Sequence, residues 1–425
     1  MTGSIAPILI LTISALSILL MLIRPGNVPE AYWVGSGAAL LLLFRLIPLR
    51  LAVQAAVKGT DVYLFLIGMM MLSELAKENG VFEWVSSISV RAARGSCRRL
   101  FTLIYLAGTV VTICMSNDAT AVVLTPAVLA AVRRGKAQPL PFLFACAMIA
   151  NAASFVLPIS NPANLVVFHA GMPPLGRWLG SFFVPSLLSI AVTFMVLWWY
   201  FRKELRKPVE IPLEEAALKS SGKLVLWGLA VVVMVLLVMS SLKQDLGLPT
   251  CIAALCVTFV VCLTTRSNPL PLAKEISWAT LGLVAALFIL VDAVESIGAL
   301  RIAETALHRA QALGTFLGPM VTAVFVAVGN NLVNNLPLGL IAGSTLTATH
   351  THGLMANGVL IGVDLGPNLS VTGSLATILW LLALRKEKLD VSAMDFFKLG
   401  VIVMPAALVA SMAGAFAVHW IFPVQ

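Results

Sequence analysis

Long apolar stretches interrupted twice by the same kinds of polar residue limit what this chain can become. The first interruption is Met115-Ser116-Asn117-Asp118-Ala119-Thr120, followed by Pro158-Ile159-Ser160-Asn161-Pro162-Ala163-Asn164. The second is Asn334-Asn335-Leu336-Pro337, followed by Asp364-Leu365-Gly366-Pro367 and Thr372-Gly373-Ser374-Leu375-Ala376-Thr377. Apolar runs such as 5–23, 224–239 and 401–422 approach or exceed the ~20 residues that carry a helix across ~30 Å of hydrocarbon. At that depth every backbone polar group needs a partner inside the protein. Paired interruptions in corresponding halves are therefore the best sequence pointer to a solute-binding site.

Composition removes the alternatives. The chain is 60% hydrophobic and 11% charged, with mean hydropathy +0.98, which no soluble globular class shows. The ~10-residue alternating segments of a membrane barrel are absent. The expectation is an all-α polytopic protein of a bacterial cytoplasmic (inner) membrane, with the lipid bilayer as its surroundings. The run 5–23 has no basic leader and is followed by Arg24-Pro25 rather than a small-residue cleavage site, so it reads as a retained first span. The net charge of +9 is dispersed among short loops, which fits positive-inside topology rather than nucleic acid. Ser221-Gly222-Lys223-Leu224 lacks the leading glycine and the hydroxyl of a phosphate loop, so energy is expected from an ion gradient or a separate ATPase. The six cysteines lack zinc spacing and read as apolar fillers. His350-Thr351-His352 has no third ligand nearby, and Met69 to Met71 read as core, so no metal or cofactor is expected.

Spans are expected at 5–23, 31–47, 61–77, 139–171, 178–201, 223–242, 248–265, 277–297, 353–384 and 398–422. The stretches 100–132 and 314–346 are each folded at their polar centre. Halved, each leaves about 14–17 residues, too few to cross, so they read as re-entrant hairpins with tips near Asn117 and Asn334. Arg91, Arg94, Arg98 and Arg99 before the first hairpin, with Arg133, Arg134 and Lys136 after it, place its base in the cytoplasm. The second hairpin has few basic flanks and opens outward. Arg45, Arg50 and Lys58 disagree with this layout. One hairpin from each side gives an inverted-topology repeat: residues 1–201 and 223–425, each of about five spans plus one hairpin. Each half has a broken helix at the midplane, 139–171 and 353–384. The charged linker 202–222, with Glu204, Pro208, Glu210, Pro212, Glu214 and Glu215, joins the halves.

A broken helix leaves free N–H groups at one fragment and free C=O groups at the other, half-forming a site that side chains complete. The substrate-binding candidates are Asn117, Thr120, Ser160, Asn161, Asn164, Asn334, Asn335, Thr372, Ser374 and Thr377. Asp118 and Asp364 are the two carboxyls within the clusters. A carboxyl taken out of water favours its protonated form, which makes both candidates for proton coupling; the alternative is a helix cap. Glu74, Asp292 and Glu295 read as interfacial. No Lys or Arg falls in the four clusters, whereas a carboxylate or phosphate carrier is expected to offer one. A small neutral solute rich in hydroxyls fits better.

These residues resemble the arsenite/antimonite efflux permeases, the ArsB-type carriers of the ion-transporter superfamily. The resemblance is carried by Phe82-Glu83-Trp84 after Gly80, by Ser116-Asn117-Asp118 through Leu124-Thr125-Pro126, and by Ser160-Asn161 with Asn164. Asn334-Asn335-Leu336-Pro337 and the run from Asp364 to Trp380 complete it. It implies a scaffold and a transport subdomain in each half. It also implies export of arsenite, As(OH)3, and antimonite, Sb(OH)3, by proton antiport alone or with a soluble arsenite-stimulated ATPase. Cys114, three residues before Asn117, is a candidate substrate thiol. The competing readings are a Na⁺-coupled anion or dicarboxylate carrier, a Na⁺/H⁺ antiporter of the same superfamily, and a passive channel or membrane anchor for an ATPase.

Overall fold

The computed structural model describes residues 5–210, 217–389 and 391–422. Among these the chain is helical apart from one isolated antiparallel bridge between Ser96 and Pro208. The first half contains α1 (Ile5–Ile23), α2 (Glu30–Leu43), α3 (Leu49–Lys58), α4 (Thr60–Glu78) and α5 (Val81–Ala92). It continues with α6 (Cys97–Cys114), α7 (Thr125–Arg134), α8 (Leu140–Ala152), α9 (Pro162–Val167) and α10 (Leu175–Tyr200). The second half contains α11 (Ser220–Ser241), α12 (Gly247–Thr265), α13 (Leu270–Glu275), α14 (Trp278–Ser296) and α15 (Arg301–Gln311). It ends with α16 (Leu317–Val333), α17 (Asn335–Ala348), α18 (Leu354–Leu365), α19 (Leu375–Lys386) and α20 (Ala393–Ile421).

Among the described residues, α1, α6, α10, α11, α12, α14 and α20 are long and apolar enough to cross a membrane, seven in all. The pair α3–α4, bent by 47° at Gly59, makes an eighth if counted as one. The all-helical, polytopic expectation is borne out. Three features differ from it. The expected span 31–47 stops at Leu43, because the chain turns before Pro48 starts the next helix; its 14 residues reach only about 21 Å. The expected span 61–77 agrees with α4 to one residue at each end, but it lacks α3, which precedes α4 across the 47° bend. The first arm of the 100–132 stretch is an 18-residue helix, longer than expected from apolar sequence alone. Ser96 caps it by accepting from the Arg99 N–H, which adds the basic turn Cys97–Arg99 that hydropathy omits.

Helices α5, α13 and α15 were not foreseen. α5 and α15 each follow a glycine in the left-handed region, Gly80 (φ 71°) and Gly298 (φ 72°), which only glycine enters freely. Both are too short to cross a bilayer and carry charge on one face: Glu83 and Arg91 on α5, Arg301, Glu304 and Arg309 on α15. Each sits immediately before a hairpin.

The halves pack in matching pairs. α6 lies on α8 as α16 lies on α18; α8 lies on α10 as α18 lies on α20; and α10 meets α20 across the centre. α4 packs on α12 and α2 on α14. The second arm of each hairpin packs on the other half's broken helix: α17 on α9, and residues 119–124, wound as a π-helix, on α19. Every residue of α9, and of α8 from Pro141 onward, is buried. On α11 and α12, by contrast, Trp227, Met234 and Phe259 face outward. Lipid-facing apolar rims around a small-residue, polar-bonded interior are how helices associate without a hydrophobic drive.

The described start of the linker is strapped to the first hairpin's base. Val209 N–H donates to Gly95 O at 3.0 Å and Glu210 N–H to Gly135 O at 2.9 Å. Glu210 also pairs with Lys136 at 2.8 Å. Residues 211–216, including Pro212, Glu214 and Glu215, lie outside the described residues. Lys58, at odds with the charge layout, is ion-paired to Asp292 at 2.7 Å, which offsets its charge locally.

Candidate functional site

The two breaks sit between α8 and α9 and between α18 and α19. In the first, residues 153–161 leave the helix and include the tight turn Pro158–Ser160. In the second, the turns Gly366–Asn368 and Val371–Gly373 fill the gap. Asp364 therefore belongs to the last turn of α18 rather than to the gap itself. The breaks correspond residue by residue: Asn151, Asn161 and Asn164 recur at identical intervals as Asp364, Ser374 and Thr377.

Each second fragment begins with a side-chain cap on extended backbone. Asn161 Oδ1 accepts from Ala163 N–H at 2.9 Å, and Ser374 Oγ accepts from Thr377 N–H at 3.2 Å. One turn further on, the side chain reaches back over the gap. Asn164 Nδ2 donates to Ser154 O (2.9 Å) and Pro158 O (3.3 Å); Thr377 Oγ1 donates to Val371 O (2.8 Å). These donors satisfy carbonyls that the break would leave unpaired. Ser160 Oγ donates to Ile113 O on α6 at 3.1 Å, fastening the first break to the first hairpin.

The halves meet where Asn161 Nδ2 donates to Asp364 Oδ1 at 2.6 Å. Beside them Asn151 Nδ2 donates to Asn368 Oδ1 at 2.9 Å, and Asn368 Nδ2 donates to Met148 O at 3.0 Å. The second hairpin joins the second break: Asn334, at φ 74°, donates from Nδ2 to Thr372 O at 3.3 Å. Asn335 is buried next to it. In the first hairpin Asn117 Oδ1 accepts from Asp118 N–H at 2.9 Å, and Thr120 Oγ1 lies 2.8 Å from Thr112 Oγ1. The Asp118 carboxylate is half-buried and has no hydrogen bond among the described residues. Cys114 is half-buried as the last residue of α6. No side-chain bond joins Asn117 to Asn334 among the described residues. The first tip reaches the second break instead, through the packing of 119–124 on α19.

Sequence reading missed Asn151, Asn330, Asn331 and Asn368. Asn330 Nδ2 donates to Gly362 O (3.0 Å) and Val363 O (2.8 Å). Asn331 accepts from Ser370 Oγ at 2.7 Å and donates to Gly366 O at 3.1 Å. A signal existed, since Asn330-Asn331 precedes Asn334-Asn335 by one helical turn and so shares its face. Asn330→Ala is expected to strip Val363 O of its donor and to leave Gly362 O with the Gly366 N–H alone. Each buried unsatisfied group costs about 1–3 kcal/mol, so the detergent-solubilised variant should unfold at a clearly lower temperature; an unchanged melting curve would remove Asn330 as a keystone.

Beside Asn334 lies a cavity of about 10 Å³, walled by Pro337, Leu375 and, from α2, Glu30. That is about one water. The hairpin tip and the surrounding helices are thus closed on one another.

Broken helices meeting at the buried centre of a membrane bundle, with capped ends and a carboxylate between them, define a transporter rather than an enzyme. Residues 5–362 match the family model described as "Citrate transporter" (CitMHS), and the chain belongs to this CitMHS/ArsB permease family. It is 29% identical over 369 residues to the arsenical pump membrane protein of Escherichia coli K12, covering 82% of this chain and 84% of that one. Against the arsenical pump membrane protein of Yersinia enterocolitica the identity is 26% over 359 residues, with the same coverage. The crystal structure of the Alcanivorax borkumensis YdaH transporter superposes with TM-score 0.58 over 88% of both chains at 14% identity, a likeness of fold alone. The chain is a secondary transporter of this family and a multi-pass membrane protein.

Proposed function

We propose that this chain exports arsenite and antimonite, as As(OH)3 and Sb(OH)3, from the bacterial cytoplasm in exchange for protons. The observation that carries this reading is the chemistry of the two breaks. They are lined with amides and hydroxyls, hold one buried carboxyl, Asp364, and contain no Lys or Arg. A neutral trihydroxide needs hydrogen-bond partners and no counter-charge. The names of the E. coli and Yersinia relatives support the same substrate class.

In this reading residues 1–201 and 223–425 are inverted repeats joined by 202–222, and the two hairpins enter from opposite faces. Their second arms, α17 and 119–124, carry the tips to the breaks. Asn117, Thr120, Ser160, Asn161, Asn334, Asn335 and Thr372 contribute to substrate binding. Ser374, which caps its own fragment, and Asn164 and Thr377, which reach back over their own gaps, hold the pocket's shape as well. Asp118 and Asp364 serve proton coupling, and Cys114 stands near enough to the first tip to meet the metalloid. A soluble ATPase would dock on the basic cytoplasmic face.

The decisive experiment is growth of an efflux-deficient host on arsenite with and without this chain. Growth at concentrations that stop the host is expected, and identical sensitivity would refute the reading. The description of the matching family favours a second reading, a carboxylate carrier. Labelled citrate uptake by membrane vesicles that carry the chain, dependent on Na⁺ and with no uptake of arsenite, would establish it instead.

A further inference from the structure

Three acceptor oxygens lie buried at the junction of the breaks without a donor: Asp364 Oδ2, Asn151 Oδ1 and Asn164 Oδ1. All three residues are 0% exposed. They share one neighbourhood. Asn161, bonded to Asp364 Oδ1, precedes Asn164 by one turn. Asn164 holds Ser154 O, and Ser154 Oγ holds Asn151 O at 2.7 Å. The Ser154 hydroxyl lies within reach of the Asp364 carboxyl, but its one hydrogen is committed to Asn151 O. The donor nitrogens are committed elsewhere: Asn161 to Asp364, Asn164 to the gap carbonyls, Asn151 to Asn368 and Asn368 to Met148.

A buried acceptor without a donor is costly, and a charged one more so. Two things repair the cluster. A proton on Asp364 Oδ2 converts an acceptor into a donor and removes the charge. A solute bearing several O–H groups supplies donors directly. The two compete, because a protonated Oδ2 is uncharged and a much weaker acceptor for the solute's hydroxyls than the carboxylate. We propose that Asp364, with the side-chain oxygens of Asn151 and Asn164, is a single exchange site at which a proton and a neutral polyhydroxy solute compete. This rests on the antiport reading above and supplies its coupling: the proton on Oδ2 departs as the solute's hydroxyls arrive.

No charged neighbour complicates the site. Of the elements packed on α18, α9, α16 and α17 carry no titratable side chain, and α8 carries only Cys146. α20 carries Asp395, Lys398 and His419 near its ends. Among the described residues no Lys, Arg or His is hydrogen-bonded to the Asp364 carboxyl.

The test uses the full-length chain in detergent, followed by infrared difference spectroscopy between about pH 3 and about pH 9, a span that brackets an ordinary carboxyl and a strongly displaced one. A protonated-carboxyl band is expected in the wild type and absent in Asp364→Asn. Asn151→Leu, which removes one acceptor of the cluster and leaves Asn368 Oδ1 without its donor, should displace the band and its titration midpoint. Arsenite added at constant pH should bleach the band and release about one proton per chain, as one-for-one linkage requires. Persistence of the band in Asp364→Asn would overturn the proposal. So would displacement of the proton by Na⁺ alone, which would mark a sodium site. If the chain transports arsenite while the band ignores it, exchange at this site fails and the export reading stands. If arsenite has no effect on growth or transport, the export reading fails, while the proton half of the site is still judged by the band alone.

Discussion

Asp364→Asn is expected to abolish arsenite accumulation driven by a pH gradient in everted vesicles, while leaving arsenite counterflow measurable. In such vesicles the cytoplasmic face is outside and the interior is acid, so an exporter takes arsenite in as protons leave. Two pH units carry about 2.7 kcal/mol, enough for about 100-fold accumulation by one-for-one exchange. Asparagine keeps the shape of the carboxyl and cannot exchange a proton. Accumulation should therefore fall to the level seen without a gradient, roughly a 100-fold loss at that gradient. Asn161 Nδ2 would then face an amide rather than a carboxylate, weakening a charge-assisted bond. Substrate affinity is expected to change as well, but a carrier that merely equilibrates arsenite still exchanges labelled for unlabelled solute. Full gradient-driven accumulation in this variant would exclude Asp364 as the coupling group.

Gly343→Val is expected to prevent recovery of folded protein. Gly343 lies on α17 where the second hairpin crosses α9, and a Cβ built there would sit 2.3 Å from the Val167 carbonyl oxygen. Backbone cannot yield as a flexible side chain can, and the contact is the one that seats the hairpin's second arm on the first broken helix. Overpacking costs typically 1–3 kcal/mol and occasionally more; here the two backbones must separate, so about 3 kcal/mol or more is expected. Size-exclusion chromatography of the solubilised variant should show aggregate in place of the wild-type peak. A normal peak with wild-type thermal stability would mean that α17 and α9 are free to part.

The breaks were legible because they violate a local expectation. Pro158, Pro162, Gly366 and Gly373 cannot continue a helix cheaply, and an amide in an apolar run shows without any knowledge of partners. For the same reason the long spans α1, α10, α11, α12 and α14 fall within a few residues of their expected limits. α5 and α15 were not legible, since short helices with one charged face resemble loops when only hydropathy is counted. The placing of Asp364 in the gap was off by a few residues, because Gly362 stays helical against the backbone of α16. Nor does sequence separate Asn164, whose amide hydrogens bond its own break, from Asn161, whose amide crosses to the other half.

Sequence alone determined that this is a multi-span helical membrane protein with two interrupted helices, because matching the bilayer's thickness and breaking a helix are properties of neighbouring residues. Only the tertiary structure decided which amides are caps, which are keystones, and which stand against the carboxyl. Asn161 and Asp364 lie 203 positions apart, and nothing local to either marks the other as its partner. Their meeting depends on α17 and the 119–124 segment packing across the halves, which brings the breaks together where water is excluded and an unpaired acceptor becomes costly.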